Sequence, residues 1–282
     1  MTIALSIKVH DGLVLAAESA STIIAAQPGT PPGVINVYNN ANKIANLCKG
    51  RPIGVVVWGA GSIGAISLST LLKDLRKRFM GKDTAHHEWA LNDGNFAIEH
   101  VAQRLRQFVY EESYVGAYGA GSGPDKPSIG ILIAGYSFGQ GLPESWLVNI
   151  NGGDCPAPSL GQSQESVSCF YDGQPEAISR FLLGYGQGLR GVLQNLGVGP
   201  LLLDGVMNHI TSALAVPMII PPMPIQDVID LADFLVHLTI MFSRFSPGAP
   251  TVGGPIEIAA ITKHEGYKWI KRKHYFEQRL NP

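Results

Sequence analysis

Residues 55–64 read Val-Val-Val-Trp-Gly-Ala-Gly-Ser-Ile-Gly. An apolar run that suits a buried strand meets G-x-G-x-x-G and then what reads as a helix start, with Ser62 as its N-cap. On its face this is a dinucleotide fingerprint. That reading requires an acidic residue about 20 positions on, at the end of a following strand. Asp83 stands near that distance, but it follows KDLRKRFMGK, which continues a helix. Two other readings use the same residues. Gly59, Gly61 and Gly64 let a helix pack closely on a sheet, or a backbone N–H at the junction stabilises an oxyanion.

The surrounding chain favours these alternatives. Upstream, Ile3, Leu5, Ile7 and Val9 alternate with Ala4, Ser6, Lys8 and His10, a strand with one apolar face. Asp11-Gly12 is a turn signal, and Leu13 to Ser19 reads as the returning strand. A loop carrying Pro28, Pro31 and Pro32 follows. Lys43 to Leu47 and Ile53 to Trp58 form another strand pair. Downstream, Leu68, Leu71, Leu72, Leu75 and Phe79 fall at helical spacing, as do Ile98, Val101, Leu105, Phe108 and Val109. Strands return at 128–136, 145–150 and 166–171, and helices at 178–185 and 225–239. Residues 186–224 read as partly helical, and 256–262 with 267–270 as a closing hairpin. Runs of strands separated by helix pairs exclude a doubly wound sheet, in which strand and helix alternate singly. The expected class is α+β: a four-layer αββα sandwich of two mainly antiparallel sheets flanked by helix pairs. Residues 1–282 are expected to form a single domain.

Composition bounds the function. The 282 residues are 45% hydrophobic and 15% charged, with net charge -1 and mean hydropathy +0.13. Charged residues usually make up about 25% of a soluble chain, so an oligomer interface is the preferred outlet for apolar surface. Near-neutral charge gives no footprint for nucleic acid or anionic membrane. Cys48, Cys155 and Cys169 fit neither a disulfide framework nor a metal cluster, and a reducing cytoplasm is expected. Neither a signal peptide nor a membrane span is expected: His10-Asp11-Gly12 breaks the first apolar run, and prolines break 210–224. His86-His87-Glu88 lacks the spacing of a helical zinc site and reads as solvated. His237 reads as a core or interface residue. Lys268, Lys271, Arg272 and Lys273 read as a solvated strand face.

Chemistry enters at the second residue. With Met1 removed, Thr2 carries a nucleophile and a base together. Its α-amine has a reference pKa of about 7.7–8.0, suited to taking the hydroxyl proton. A tight turn at Asp11-Gly12 sets position 21 opposite Thr2, with Glu18 within about 10 Å along the strand. The face that Glu18 takes stays open, because a one-residue shift flips it. Lys43 opens the third strand, where an ammonium would favour loss of the Thr2 proton. Glu18 could pair with it, or both could be ordinary solvated residues.

TIALSIKVHDGLVLAAESAST, followed by NANKIANL and IGVVVWGAGSIGA, resembles the opening of proteasome β subunits. These are threonine peptidases of the N-terminal nucleophile (Ntn) hydrolase class. ILIAGYSFGQGLPESWLVNING and VGGPIEIAAITKHEGY resemble the middle and closing strands of that family. The resemblance implies Thr2 as nucleophile, Glu18 and Lys43 as its electrostatic partners, and Gly59 as the oxyanion donor. No cofactor or metal is implied. The partners implied are a peptide or unfolded-protein substrate and further copies of the chain in stacked rings, as in the free-standing bacterial homologues. The chain departs from the pattern at Asp172, where the family has Ser, and at Ala249 and Val252, where it has Asp and Ser. Asp172 is a candidate to hold the amine instead. Val57 and Ala65 suggest a modest apolar substrate pocket. The alternatives are an inactive ring-forming scaffold and a small-amide hydrolase.

Overall fold

The computed structural model describes residues 2–25, 33–91, 94 and 96–273. Elements in chain order are β1 (Ala4–Val9), β2 (Gly12–Ala17), β3 (Ser21–Ala25), β4 (Gly33–Tyr38), β5 (Ile44–Asn46) and β6 (Ile53–Gly59). Two short strands, β7 (Ser62–Ile63) and β8 (Ile66–Ser67), lead into α1 (Leu68–Phe79). After a 3-10 turn at Thr84–Trp89, α2 (Ile98–Arg106) runs through a π-helical stretch, Gln107–Tyr114, into α3 (Val115–Tyr118). Then come β9 (Ile129–Gly135), β10 (Glu144–Ile150), β11 (Ser159–Gln162), β12 (Ser168–Asp172), α4 (Glu176–Leu183), α5 (Leu189–Asn195), α6 (Pro200–Leu214) and α7 (Ile225–Phe245). β13 (Glu257–Thr262) and β14 (Gly266–Lys271) close the described chain.

Two five-stranded sheets carry the fold, ordered β12-β1-β2-β13-β14 and β11-β10-β9-β6-β5, with antiparallel neighbours. Strand alternation sends their side chains to separate apolar cores. Leu13, Leu15 and Ala17 of β2 meet Val56, Trp58 and Leu132 of the other sheet. Val14 and Ala16, on the opposite face of β2, pack with Ile178 of α4 and Val228, Ala232 and Leu235 of α7. The outward face of the second sheet, with Val55, Val57 and Ile131, packs on Leu71, Leu72 and Leu75 of α1 and Val101 and Leu105 of α2. Both faces of β1 are therefore covered, although only one was expected to be apolar. Its polar side chains find partners: Ser6 donates to Gln162 (2.8 Å), and Lys8 Nζ donates to the carbonyls of Gln164 (2.8 Å) and Ser166 (2.5 Å).

Several local expectations are corrected. The first turn centres on His10 and Asp11, so Val9 faces Gly12 and Ala4 faces Ala17. Continued outward, this register sets Ile3 against Glu18 and Thr2 against Ser19 rather than position 21. A slip of two keeps every side chain on its face, because the strand period is two. Ser62 does not cap α1. It lies in β7, Gly64 turns the chain at φ 55°, and Ser67 is the cap, accepting from Thr70 N at 3.2 Å. The stretch before β5 is not all loop, because β3 and β4 pair as a hairpin of their own. The prolines at 28, 31 and 32 lie outside the described residues. β11 was not foreseen, and His237 is exposed rather than in the core.

Candidate active site

Thr2 stands just ahead of β1 and is buried at 3% exposure. It lines a cavity of about 650 Å³ together with Lys43, Val57, Gly59 and Gly61. The hairpin β3–β4 adds Ser21, Thr22 and Tyr38 to the wall, and the start of α1 adds Leu68, Ser69 and Lys73. Val57 therefore faces the cavity as expected, whereas Ala65 is exposed and is not among its lining residues.

Glu18 lies just beyond the end of β2, at 1% exposure. Its carboxylate ion-pairs with Lys43 and also accepts backbone N–H bonds from Ile3 (3.3 Å), Ala20 (2.5 Å) and Gly253 (3.2 Å). A buried carboxylate needs this many donors, because each unmet lone pair is costly. Lys43 precedes β5 rather than opening it, and its ammonium is nearly as buried as its partner. Burial pushes the Lys43 pKa below the ordinary lysine value, while the charge and hydrogen bond of Glu18 pull it back up.

Gly59 ends β6 beside Ser128 with φ 85°. A β-carbon there would lie 2.4 Å from the Ser128 carbonyl oxygen, so only glycine fits. The next residue, Ala60, donates its N–H to that same oxygen at 2.9 Å. The strand thus leads to a turn and a second short strand, not directly to a helix N-terminus.

Asp172 pairs with Ala4 across β12 and β1, but its carboxylate accepts from the N–H of Gly173 at 2.5 Å. Gly173 is the residue that meets Thr2: its φ is 95°, and its backbone packs on the Thr2 carbonyl. Ala249 lies in the segment before β13. Val252 is buried in the core shared with α7.

Sequence reasoning missed a second ion pair behind the first. Lys273 Nζ lies 3.2 Å from Glu257 Oε2, and both side chains are buried. The same ammonium donates to Ser19 Oγ (2.6 Å) and to the Ala41 carbonyl (2.5 Å). Lys273 is therefore not part of a solvated strand face. Lys268, Lys271 and Arg272 are exposed as expected. Burial lowers the Lys273 pKa, with Glu257 opposing. The available signal was Glu257 itself, an acid inside the apolar run Ile256–Ile261.

The grouping of a hydroxyl, a buried ammonium and a glycine backbone around one cavity suits nucleophilic chemistry. Met1 lies outside the described residues. Among the described residues, no group of three or more His, Cys, Asp or Glu side chains is placed to hold a metal ion, and no helix is long and apolar enough to cross a membrane.

No family model matches the sequence, and no curated protein sequence matches it. Among solved structures, the chain is similar to the Gly-1 mutant of Anbu from Hyphomicrobium sp. strain MC1. The TM-score is 0.50 and the identity 14%, over 99% of this chain and 92% of that one. At that identity the likeness speaks to fold, and the chain shares with Anbu a mixed α/β architecture built on antiparallel sheets.

Proposed function

We propose that this chain is a proteasome-like threonine hydrolase of the four-layer αββα Ntn type, acting on peptide bonds. The observation that carries the reading is that Thr2, Lys43 and Gly59 line one cavity, with Glu18 buried behind Lys43. The fold likeness to Anbu supports the architecture. With Met1 removed, the Thr2 α-amine accepts the proton of the Thr2 hydroxyl as Oγ1 attacks the substrate carbonyl carbon. The Lys43 charge favours the alkoxide character that develops, and the Gly59 N–H stabilises the oxyanion. Collapse breaks the C–N bond, and the α-amine passes its proton to the leaving nitrogen. Water then attacks the ester and restores the hydroxyl. Asp172 supports Thr2 through Gly173. Further copies of the chain assemble into stacked rings in the cytoplasm. Exposed Leu196, Leu201 and Leu202 on the α5–α6 hairpin support such an interface.

A second reading is a ring-forming scaffold of the same fold. It is favoured by Val252, which fills the core, and by the Asp172 carboxylate, which is spent on its neighbour's N–H. Intact mass before and after incubation with a peptide epoxyketone separates the two, since that group reacts with both the hydroxyl and the free amine of an N-terminal Thr. Loss of Met1 and one adduct on Thr2 is the expected result. Retained Met1, or a free Thr2 that never reacts, would favour the scaffold reading.

A further inference from the structure

A second cavity, of about 330 Å³, opens where the edge strands β5 and β14 approach α1. Asn42, Ser69 and Lys73 line both this cavity and that of Thr2, so the two share a wall. Its lining is basic, with Lys49, Lys73, Arg76 and Arg272. Among the described residues, none of these four side chains has an ion-pair or hydrogen-bond partner. The acid in the lining, Glu257, is buried and already engaged by Lys273 at 3.2 Å. The cavity therefore carries an excess of positive charge.

Independent of the charges, the buried Tyr267 hydroxyl on its lining has no hydrogen-bond partner among the described residues. A buried donor without a partner is rare in folded chains and suits an acceptor such as an anionic oxygen. Burial raises the Tyr267 pKa, so its hydroxyl remains a neutral donor. The Arg272 guanidinium lies 4.8 Å over the Trp269 ring, which orients its planar fork before any ligand arrives.

We propose that this cavity binds a compact anionic group, a carboxylate or a phosphate, held by Arg76 and Arg272 and flanked by Lys49 and Lys73. The shared wall makes an acidic group on a substrate bound at Thr2 one source, and a free anion the other. Only the first source rests on the hydrolase reading.

Calorimetric titration with inorganic phosphate at low ionic strength tests the site without any turnover. The intact chain is expected to bind, and R76Q/R272Q to bind at least about tenfold more weakly, since charge-assisted bonds are lost. Thr2→Ala is expected to bind phosphate like the parent chain. Thermal melting checks the fold of each variant. K49Q/K73Q, which alters two exposed side chains, is also expected to weaken binding, and it decides the test if R76Q/R272Q fails to fold. A matched pair of peptides bearing Glu or Gln separates the sources. Tighter binding of the Glu peptide, lost in R76Q/R272Q, supports a substrate group. Phosphate binding with no preference between the peptides supports a free anion. Absence of phosphate and Glu-peptide binding, or equal binding by the parent and the folded R76Q/R272Q or K49Q/K73Q variant, would overturn the proposal while leaving the Thr2 chemistry untouched.

Discussion

A β-carbon placed on Gly173 would lie 2.0 Å from the carbonyl oxygen of Thr2. The backbone after β12 is thus the surface against which the candidate nucleophile rests. Thr2 is held by main-chain contact on one side, while its neighbour Ile3 is held through Glu18 on another.

Gly173→Ala is therefore expected to displace Thr2. Its φ of 95° disfavours any side chain before the contact is counted. Strain of this kind costs about 1–3 kcal/mol. Urea denaturation measures the loss. Epoxyketone labelling of Thr2 is expected to slow by more than the lost stability explains. Unchanged labelling would show that the contact does not place Thr2.

The Lys43–Glu18 pair is buried on both sides, so removing one partner strands the other. Lys43→Met and Glu18→Gln are each expected to destabilise the fold, by about 3–5 kcal/mol where a full charge is left unpaired. The double variant is expected to lose less than the sum, which a denaturation cycle reads directly. Additive losses would mean that the pair acts as two independent residues.

Lys273 offers a sharper contrast. A solvated strand lysine changes stability by no more than about 0.5 kcal/mol when replaced. Lys273→Met instead leaves Glu257, Ser19 and Ala41 without their donor. A loss several times that size is expected, and Glu257→Gln in the same chain is expected to restore part of it. A neutral Lys273→Met variant would return Lys273 to the solvated class.

Burial pushes the Cys155 thiol up to about 11, against the nearby Arg106. The thiol pKa is higher folded than unfolded, so its contribution is complete below the ordinary thiol value of 9.0. Above that pH the unfolded chain releases the proton first, and the contribution declines toward pH 11 by up to about 1.4 kcal/mol per unit. The stability difference between parent and Cys155→Ala is expected to shrink over that window. A difference constant from pH 8 to 11 would contradict the assignment.

The sequence carried the fold through periodicity. The alternation of β1, the helical spacing of α1, α2 and α7 and the closing turn at His264–Gly266 all stand close to where their residues pointed. The first turn slipped by two because Gly12 serves as the first strand residue, not as the second turn residue. The hairpin β3–β4 was missed although Thr22-Ile23-Ile24 and Val34-Ile35-Asn36-Val37 are rich in β-branched residues, because the prolines between them read as a loop. Thr2, Lys43 and Gly59 were legible as a group only through their resemblance to a known pattern. Lys273 was not legible at all. Nothing local distinguishes a lysine that turns inward to meet Glu257 from its outward neighbours, since the distinction is made by a partner on another strand.

The carboxylate of Glu18 joins residues from both ends of the chain, accepting from Ile3 and from Gly253. In a polypeptide made from its N-terminus, Glu18 is synthesised 235 residues before Gly253. Until Gly253 has been made, the Glu18 carboxylate lacks one of the donors that seat it in the folded chain. The order of synthesis thus postpones completion of this buried cluster until the distant segment around Gly253 arrives.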